Sequence, residues 1–346
     1  MFAKSIIRTA AISLILFCSV NVYASGETTK AGTSAAQFLK IGVGARAQAL
    51  GGAFAAVSHD ASSIYWNPAG IASIDEITWS GSHTQWFAEI THQFTAIVVP
   101  ISRRSALGFS ATLLAMDEEE ITTIDQPSGT GLFWDASDLA IGISYATQLT
   151  DRFSIGLTGK YISQKIFNES ASTYALDVGT MLDTGFHGVV IGMSFTNFGG
   201  DLQLEGRDLI RAYDPNPANS RNDDVDSRLH TEPWPLPVNF KVGVALDLIG
   251  NEADNFFQMK NHRLMLAMDA NHPNDAAENM RFGLEYTLYD MISFRGGYMT
   301  NDDLAQFTFG AGLDVDMNRK SFRIDYALAS YGELENVNYI SFGFGF

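Results

Sequence analysis

A period of two recurs down most of this chain and ends it. In the closing stretch 338–346, Ile340, Phe342, Phe344 and Phe346 fall on one side of an extended backbone, and Tyr339, Ser341, Gly343 and Gly345 fall on the other. Residues 279–289 set Met280, Phe282, Leu284, Tyr286 and Leu288 against Arg281, Gly283, Glu285 and Thr287. Residues 238–248 set Val238, Phe240, Val242, Val244, Leu246 and Leu248 against Asn239, Lys241, Gly243, Ala245 and Asp247, and residues 321–329 alternate in the same way. A water-soluble sheet rarely ends on such an apolar row. A strand with hydrocarbon on one face and a wet lumen on the other commonly does.

From residue 78 onward the sequence divides into about fourteen such segments, each near the roughly 9–11 residues a tilted spanning strand needs. The expected strands are 78–86, 90–100, 105–116, 137–148, 152–166, 171–183, 189–198, 238–248, 263–271, 279–289, 292–299, 307–316, 321–329 and 338–346. A β-sandwich alternates too, so connection lengths supply a second criterion. The longest connections, 117–136 and 199–237, follow odd-numbered segments, and most connections after even-numbered ones are short; 249–262 is the exception. Sorting of loops by side fits a membrane barrel, with short periplasmic turns and longer extracellular loops. The expected fold is all-β, a transmembrane antiparallel β-barrel of about 14 strands with a small N-terminal plug segment.

Lys4 and Arg8 precede an apolar run from Ala10 to Val20, and Val22 and Ala24 supply the small residues of a cleavage site before Ser25. The expected division is a signal peptide over 1–24, a plug or hatch over 25–76 and a barrel over 77–346, in a bacterial outer membrane. Cys18, the only cysteine, lies in the signal. Removal of the signal takes away two basic residues and no acidic one, so a net charge of −17 becomes −19. So acidic a chain makes nucleic acid an unsuitable partner.

Residues 31–76 lack the strand pattern. Asp60 is placed to cap a helical turn, and Pro68 ends it by forcing Asn67 out of the helical region. Gly42-Val43-Gly44-Ala45-Arg46-Ala47 satisfies a dinucleotide-type glycine pattern but has no βαβ unit around it, so close packing is the expected use of these small residues. Gln37 to Arg46, Gly51 to Phe54, Asp60 to Ser62 and Asn67-Pro68-Ala69-Gly70 together resemble the start of PorV/PorQ-type outer-membrane proteins. That family is in turn similar to the FadL-like barrels, which share an Asn-Pro-Ala element and a plug. The resemblance marks Gly42, Gly44, Arg46, Asp60, Trp66, Asn67, Pro68 and Gly70 as the plug motif.

The same resemblance implies two functions. One is binding of secreted proteins that carry a C-terminal sorting domain, and their transfer to a surface-attachment complex in type IX secretion. The other is passage of a hydrophobic small molecule, as in FadL-like channels. In the long loop, Tyr213 and Trp234 are candidate anchors for a partner, or aromatic packing at the rim.

Lys160, Asp177, Lys241, Asp247, Arg281, Glu285, Arg295, Asp314, Arg323 and Asp325 fall on inward positions. They either pair with one another and the plug or line a solute path. His59, His83, His92, His187, His230, His262 and His272 are scattered without metal-ligand spacing, and Asp223, Asp224 and Asp226 lack the later glutamate of an EF-hand loop. No Gly-x-Ser-x-Gly elbow is present. The expected protein is non-enzymatic, holds no cofactor, and has outer-membrane lipid as its surroundings.

Overall fold

A computed structural model describes residues 30–57, 59–216, 225–251, 255–301, 306–317, 320–332 and 336–346. The signal segment, Asp223 and Asp224 lie outside these residues. Fourteen long strands close into an antiparallel barrel. In chain order they are β1 (Thr78–Gln85), β2 (Thr91–Ser102), β3 (Ser105–Ala115), β4 (Ala136–Gln148), β5 (Phe153–Ile166), β6 (Glu169–Asp183) and β7 (Val189–Gly199). There follow β8 (Asn239–Gly250), β9 (His262–Pro273), β10 (Asn279–Leu288), β11 (Ile292–Met299), β12 (Phe307–Met317), β13 (Lys320–Ser330) and β14 (Asn336–Gly345). Each of the fourteen lies within two residues of its expected bounds. β14 closes the barrel by pairing with β13 on one side and β1 on the other, so that Phe342 stands opposite both Ile324 and Gly81.

The period of two separates the faces as the sequence implies. Phe109, Ile143, Phe294, Phe309, Ile324 and Phe342 are exposed on the outer face, while Ala327, Tyr339 and Ser341 are buried inside. Three irregularities in register depart from it among the described residues, one of them at Pro100/Ser102, where the end of β2 meets β3. Between β8 and β9 the register shifts at Asp247/Ile249, which makes Leu248 the extra residue of a bulge rather than the next outward side chain. Between β6 and β7 the register shifts at Leu176/Val178, with Asn197 left-handed at φ 64°. Loop sorting is also looser than a strict rule. The β5–β6 turn is tight although it lies at the long-loop end, and the connection from Gly250 to His262 at the other end carries its own short pairing of Phe257–Gln258 with Ile249–Gly250.

A barrel of this strand number encloses more space than its own inward side chains fill. Residues 30–76 occupy the lumen through four short helical pieces, Gln37–Lys40, Ala45–Ala49, Ser63–Trp66 and Pro68–Ser73. Their Val43, Leu50, Phe54, Ile64, Trp66 and Ile71 form the main core with Phe94, Ala96, Val98 and Met265 of the wall. Glycines on the inner wall let the two backbones meet. A side chain at Gly156 would land on the Pro68 backbone, at Gly192 on the Ala55 carbonyl, and at Gly297 on Leu50 and Gly51.

The plug's free backbone donors are taken up by wall side chains, as buried N–H groups require. Asp269 Oδ2 accepts from the N–H of both Phe54 and Ala55 at 2.9 Å. Ser341 accepts from the Ala45 N–H at 3.1 Å, and the Thr308 hydroxyl accepts from the Gly51 N–H at 3.0 Å. Asn67 Nδ2 donates to the plug's Ala55 carbonyl at 2.7 Å and to the wall's Thr180 carbonyl at 3.0 Å, while Oδ1 accepts from the Ala69 N–H. Asn67 itself is extended at φ −156°, ψ 102°, as the following proline demands. Asp60 Oδ1 accepts from the Ser62 N–H two residues on; the helix begins at Ser63, so Asp60 orders the approach to it rather than its first turn.

An ionic chain fastens plug to wall. The Arg46 guanidinium grips Glu285 with two bonds of 2.9 and 2.8 Å. Arg295 binds Glu285 and, at 2.6 Å, Asp325. Asp60 lies 3.8 Å from Arg46 and 3.6 Å from Arg323, which also binds Asp314. Glu285, Arg295 and Asp325 are almost wholly buried, so each relies on these partners.

Two variants test this seating. Gly156→Val should push Pro68 off the wall, lower the unfolding midpoint in detergent by an amount worth about 1–3 kcal/mol and raise conductance in planar bilayers. Gly159→Val, on the same strand with open space around it, is the control and should change neither. Glu285→Gln leaves two buried guanidiniums short of a carboxylate and should cost roughly 3–5 kcal/mol by the same denaturation measurement. An unchanged midpoint would show that the ionic chain does not seat the plug.

Candidate functional site

Two regions at the long-loop end could meet a ligand: the rim formed by the loops and the cavity beneath it. The rim is continuous. In the β3–β4 connection Glu119–Glu120 pairs with Phe133–Trp134, and a tight turn at Thr123–Gln126 leaves Ile124 100% exposed. The base of this connection is tied to the β5–β6 turn, because the Phe167 N–H donates to the Asp135 carbonyl and Lys165 pairs with Asp135 at 3.0 Å. That turn in turn meets the β7–β8 connection, where the Asp208 N–H donates to Glu169 and Glu205–Gly206 pairs with Glu169 and Ser170.

The described residues of the β7–β8 connection form pairings of their own. Leu202 and Trp234 exchange backbone hydrogen bonds of 2.8 and 2.9 Å, and Ile210–Tyr213 pairs with Val225–Arg228. Leu202 and Leu236 bury themselves against Phe38 and Leu39 of the plug and Ala140, Ile162 and Ala175 of the wall. The loop is therefore anchored at its base, where Trp234 is 45% exposed, while its outer hairpin presents Tyr213, 59% exposed. Of the two aromatics marked by the sequence, neither packs into the barrel; Leu202 and Leu236 do that work. Asp226 lies on the exposed hairpin, and among the described residues no cluster of three acidic or histidine side chains is arranged to hold a metal.

Beneath the rim is a cavity of about 610 Å³. Its floor is Tyr65, Trp66 and Phe94, and its walls include Lys160, Asp177, Asn197, Asn239, Lys241 and Arg281. Trp66 is held by its indole N–H, which donates to the Val43 carbonyl at 3.0 Å, and the Tyr65 hydroxyl donates to the carbonyls of Leu39 and Ile41. The β6–β7 bulge turns Asn197 inward. Its N–H donates to Asp177 at 2.7 Å, its Nδ2 donates to the Pro237 carbonyl, and its Oδ1 accepts from Lys160, which is itself 2.9 Å from Asp177. At the mouth, Asp275 accepts from Ser34 and Gln37 and pairs with Lys40 at 3.1 Å. Burial opposes the charge of Asp275, but the bonds from Ser34, Gln37 and Lys40 outweigh it and hold the carboxyl below the usual range.

The marked inward charges thus divide into two layers. Glu285, Arg295, Asp314, Arg323 and Asp325 join Arg46 and Asp60 at the plug's lower face, beside a second cavity of about 270 Å³ that opens among Thr78, Asp290 and Asp316 at the short-turn end. Lys160, Asp177, Lys241 and Arg281 line the upper cavity. Asp247 belongs to neither layer and binds Arg263 at 2.9 Å near the short-turn end. In the plug, Gly42 and Gly44 serve close packing: a side chain at Gly42 would strike Gln48 and Trp66, and Gly44, at φ 79°, precedes the helix at Ala45. Gly70 is buried, and its N–H closes the turn onto the Asn67 carbonyl. Asp269, Asp275 and Asn197 escaped the sequence reading. Asp269 alone had an inward register on a strand to hint at a role; Asp275 lies in the β9–β10 connection, and Asn197 faces inward only because of the bulge.

A family model described as type IX secretion system protein PorV matches residues 24–266. None of the curated proteins compared with the chain matches it. Among solved structures, the CymD monoaromatic hydrocarbon channel superposes with a TM-score of 0.54 at 13% identity, covering 88% of this chain and 97% of that one. The Pseudomonas putida toluene transporter TodX gives 0.52 at 10% identity, with 88% and 96% covered. A Pseudomonas aeruginosa FadL homologue gives 0.50 at 12%, with 88% and 98% covered. At such identities these channels share the fold, a FadL-type barrel of the outer membrane. The chain belongs to the PorV family of type IX secretion proteins and is an outer-membrane barrel.

Proposed function

We propose that this protein is a non-enzymatic docking barrel that binds exported proteins on its extracellular rim and passes them to a surface-attachment complex. The observation that carries this reading is the rim itself. Two hairpins hold Ile124, Phe133 and Tyr213 out into solvent, and Trp234 is half-exposed at the base of the second. Exposed aromatic and aliphatic side chains on a pre-ordered support are the usual anchors of a protein interface, because little conformational freedom is lost when they are covered. Membership of the PorV family of type IX secretion proteins supports the same assignment; the cargo in this reading is secreted proteins bearing a C-terminal sorting domain. A docking role asks nothing of the lumen, which agrees with a plug sealed by glycine contacts and buried ion pairs.

A second reading, a channel for hydrophobic small molecules, is favoured by the shared fold and by the 610 Å³ cavity floored with aromatic rings. Passage would require the plug to move, since Trp66 and Asn67 stand between the cavity and the lower face of the plug.

Replacement of residues 205–232 by a short Gly-Ser link, leaving the Leu202–Trp234 bridge in place, should abolish recovery of secreted proteins cross-linked to the barrel in native membranes. Undiminished recovery would refute docking on this loop. For the channel reading, Asn67→Ala should change uptake of a labelled hydrocarbon by whole cells several-fold, and normal uptake would exclude a route past the plug.

A further inference from the structure

The upper cavity is cationic in an acidic protein. Lys40, Lys160, Lys241 and Arg281 line it against Asp177 and Asp275 alone, although the whole chain carries −17. Two of the four cations are engaged, Lys40 with Asp275 and Lys160 with Asp177. Among the described residues, Lys241 and Arg281 have no carboxylate within ion-pair distance. Arg281 Nε donates to the neutral Asn279 side chain at 3.2 Å. The nearby acid of β9, Asp269, lies beyond ion-pair distance of both; its Oδ2 accepts from Phe54 and Ala55 of the plug, and its Oδ1 has no hydrogen-bond partner.

Lys241 is only 6% exposed, and its ammonium stands 4.7 Å above the Trp66 ring and 5.8 Å from that of Tyr65. Ring faces offset part of the cost of burying a cation but not the loss of its hydration. Such an arrangement favours an added anion in the cavity. Lys241 on β8 and Arg281 on β10 are two strands apart, about 10 Å at the backbone, so long side chains from both can converge on one small group in the cavity.

We infer that the cavity above Trp66 is a binding site for a compact organic carboxylate, gripped by Lys241 and Arg281 and lying over the aromatic floor. A guanidinium offers the planar fork that fits a carboxylate, and the ammonium adds a point charge. Thr112, Asn197 and Asn239 on the walls make the cavity too polar for a long acyl chain, while Tyr65, Trp66 and Phe94 suit a flat apolar body. Ala276 and Ala277 are exposed at the mouth, and Lys40 beside them extends the positive field outward. The site is independent of cargo docking on the rim above it.

Benzoate is the probe, with benzamide as its uncharged counterpart, titrated calorimetrically into the full-length protein in detergent. Saturable binding of benzoate, at least tenfold weaker binding of benzamide, and at least fivefold weakening by Lys241→Gln and by Arg281→Gln are the expected results, with Lys241→Arg retaining most of the affinity. Equal binding of benzoate and benzamide, no saturable benzoate binding at millimolar concentration, or full affinity in folded variants would each overturn the proposal. The benzoate and benzamide comparison needs no variant, so a misfolded one leaves the test intact. A short peptide with a free C-terminus, set against its C-terminal amide, identifies the source of the carboxylate: tighter binding than benzoate assigns the site to a polypeptide end, and weaker binding assigns it to a small molecule.

Discussion

Backbone hydrogen bonding in a hydrocarbon slab governs this molecule. Every N–H and C=O on a spanning segment needs a partner within the protein, because no water is present to supply one. A sheet meets that demand only by closing on itself, and β14 does so by pairing along its length with β1 and β13. Closure at fourteen strands fixes a lumen wider than the wall's own side chains can fill. The plug follows from that width. Its short helices and turns leave backbone donors unmatched, and the wall answers with Asp269, Thr308, Ser341 and the Thr180 carbonyl. Outer-face residues are thus chosen for lipid, and inner-face residues for the particular path of the plug.

The plug also divides the lumen electrostatically. Below it, Arg46, Arg295 and Arg323 interleave with Asp60, Glu285, Asp314 and Asp325 in a chain where each charge has an opposite neighbour. Above it, cations exceed acids, and Lys241 rests on Trp66, the residue whose indole is pinned to the plug backbone. The lower layer holds; the upper layer receives. Separation of the two leaves the rim, with exposed Ile124, Tyr213 and Trp234, apart from the charges that seat the plug, on the barrel that hydrocarbon channels also use.

Much of the fold was legible in the sequence because its signal is local. Alternation of Phe322, Ile324 and Tyr326 with Arg323, Asp325 and Ala327 needs only adjacent residues to be read, and it places lipid and lumen faces together. The bend at Asn67-Pro68 is equally local, set by the proline ring. Less legible were the bulges, since an extra residue at Leu248 or a left-handed Asn197 depends on what the neighbouring strand offers. Trp234 between two prolines drew attention as an anchor or as rim packing, whereas the packing falls to Leu202 and Leu236, which meet Phe38 far away in sequence.

By itself the sequence determined the class of fold, the number and place of the strands, and the residues that face inward, because a period of two and the length of a bilayer crossing are properties of short segments. Only the tertiary structure decided which inward charges meet. Glu285 pairs with Arg46 from 239 positions away, while Lys241 and Arg281, equally inward, have no carboxylate within ion-pair distance among the described residues. That outcome turns on the stagger between strands and the route of the plug through the lumen. Neither is a local quantity, so the cavity and its charge exist only once the barrel has closed around the segment that fills it.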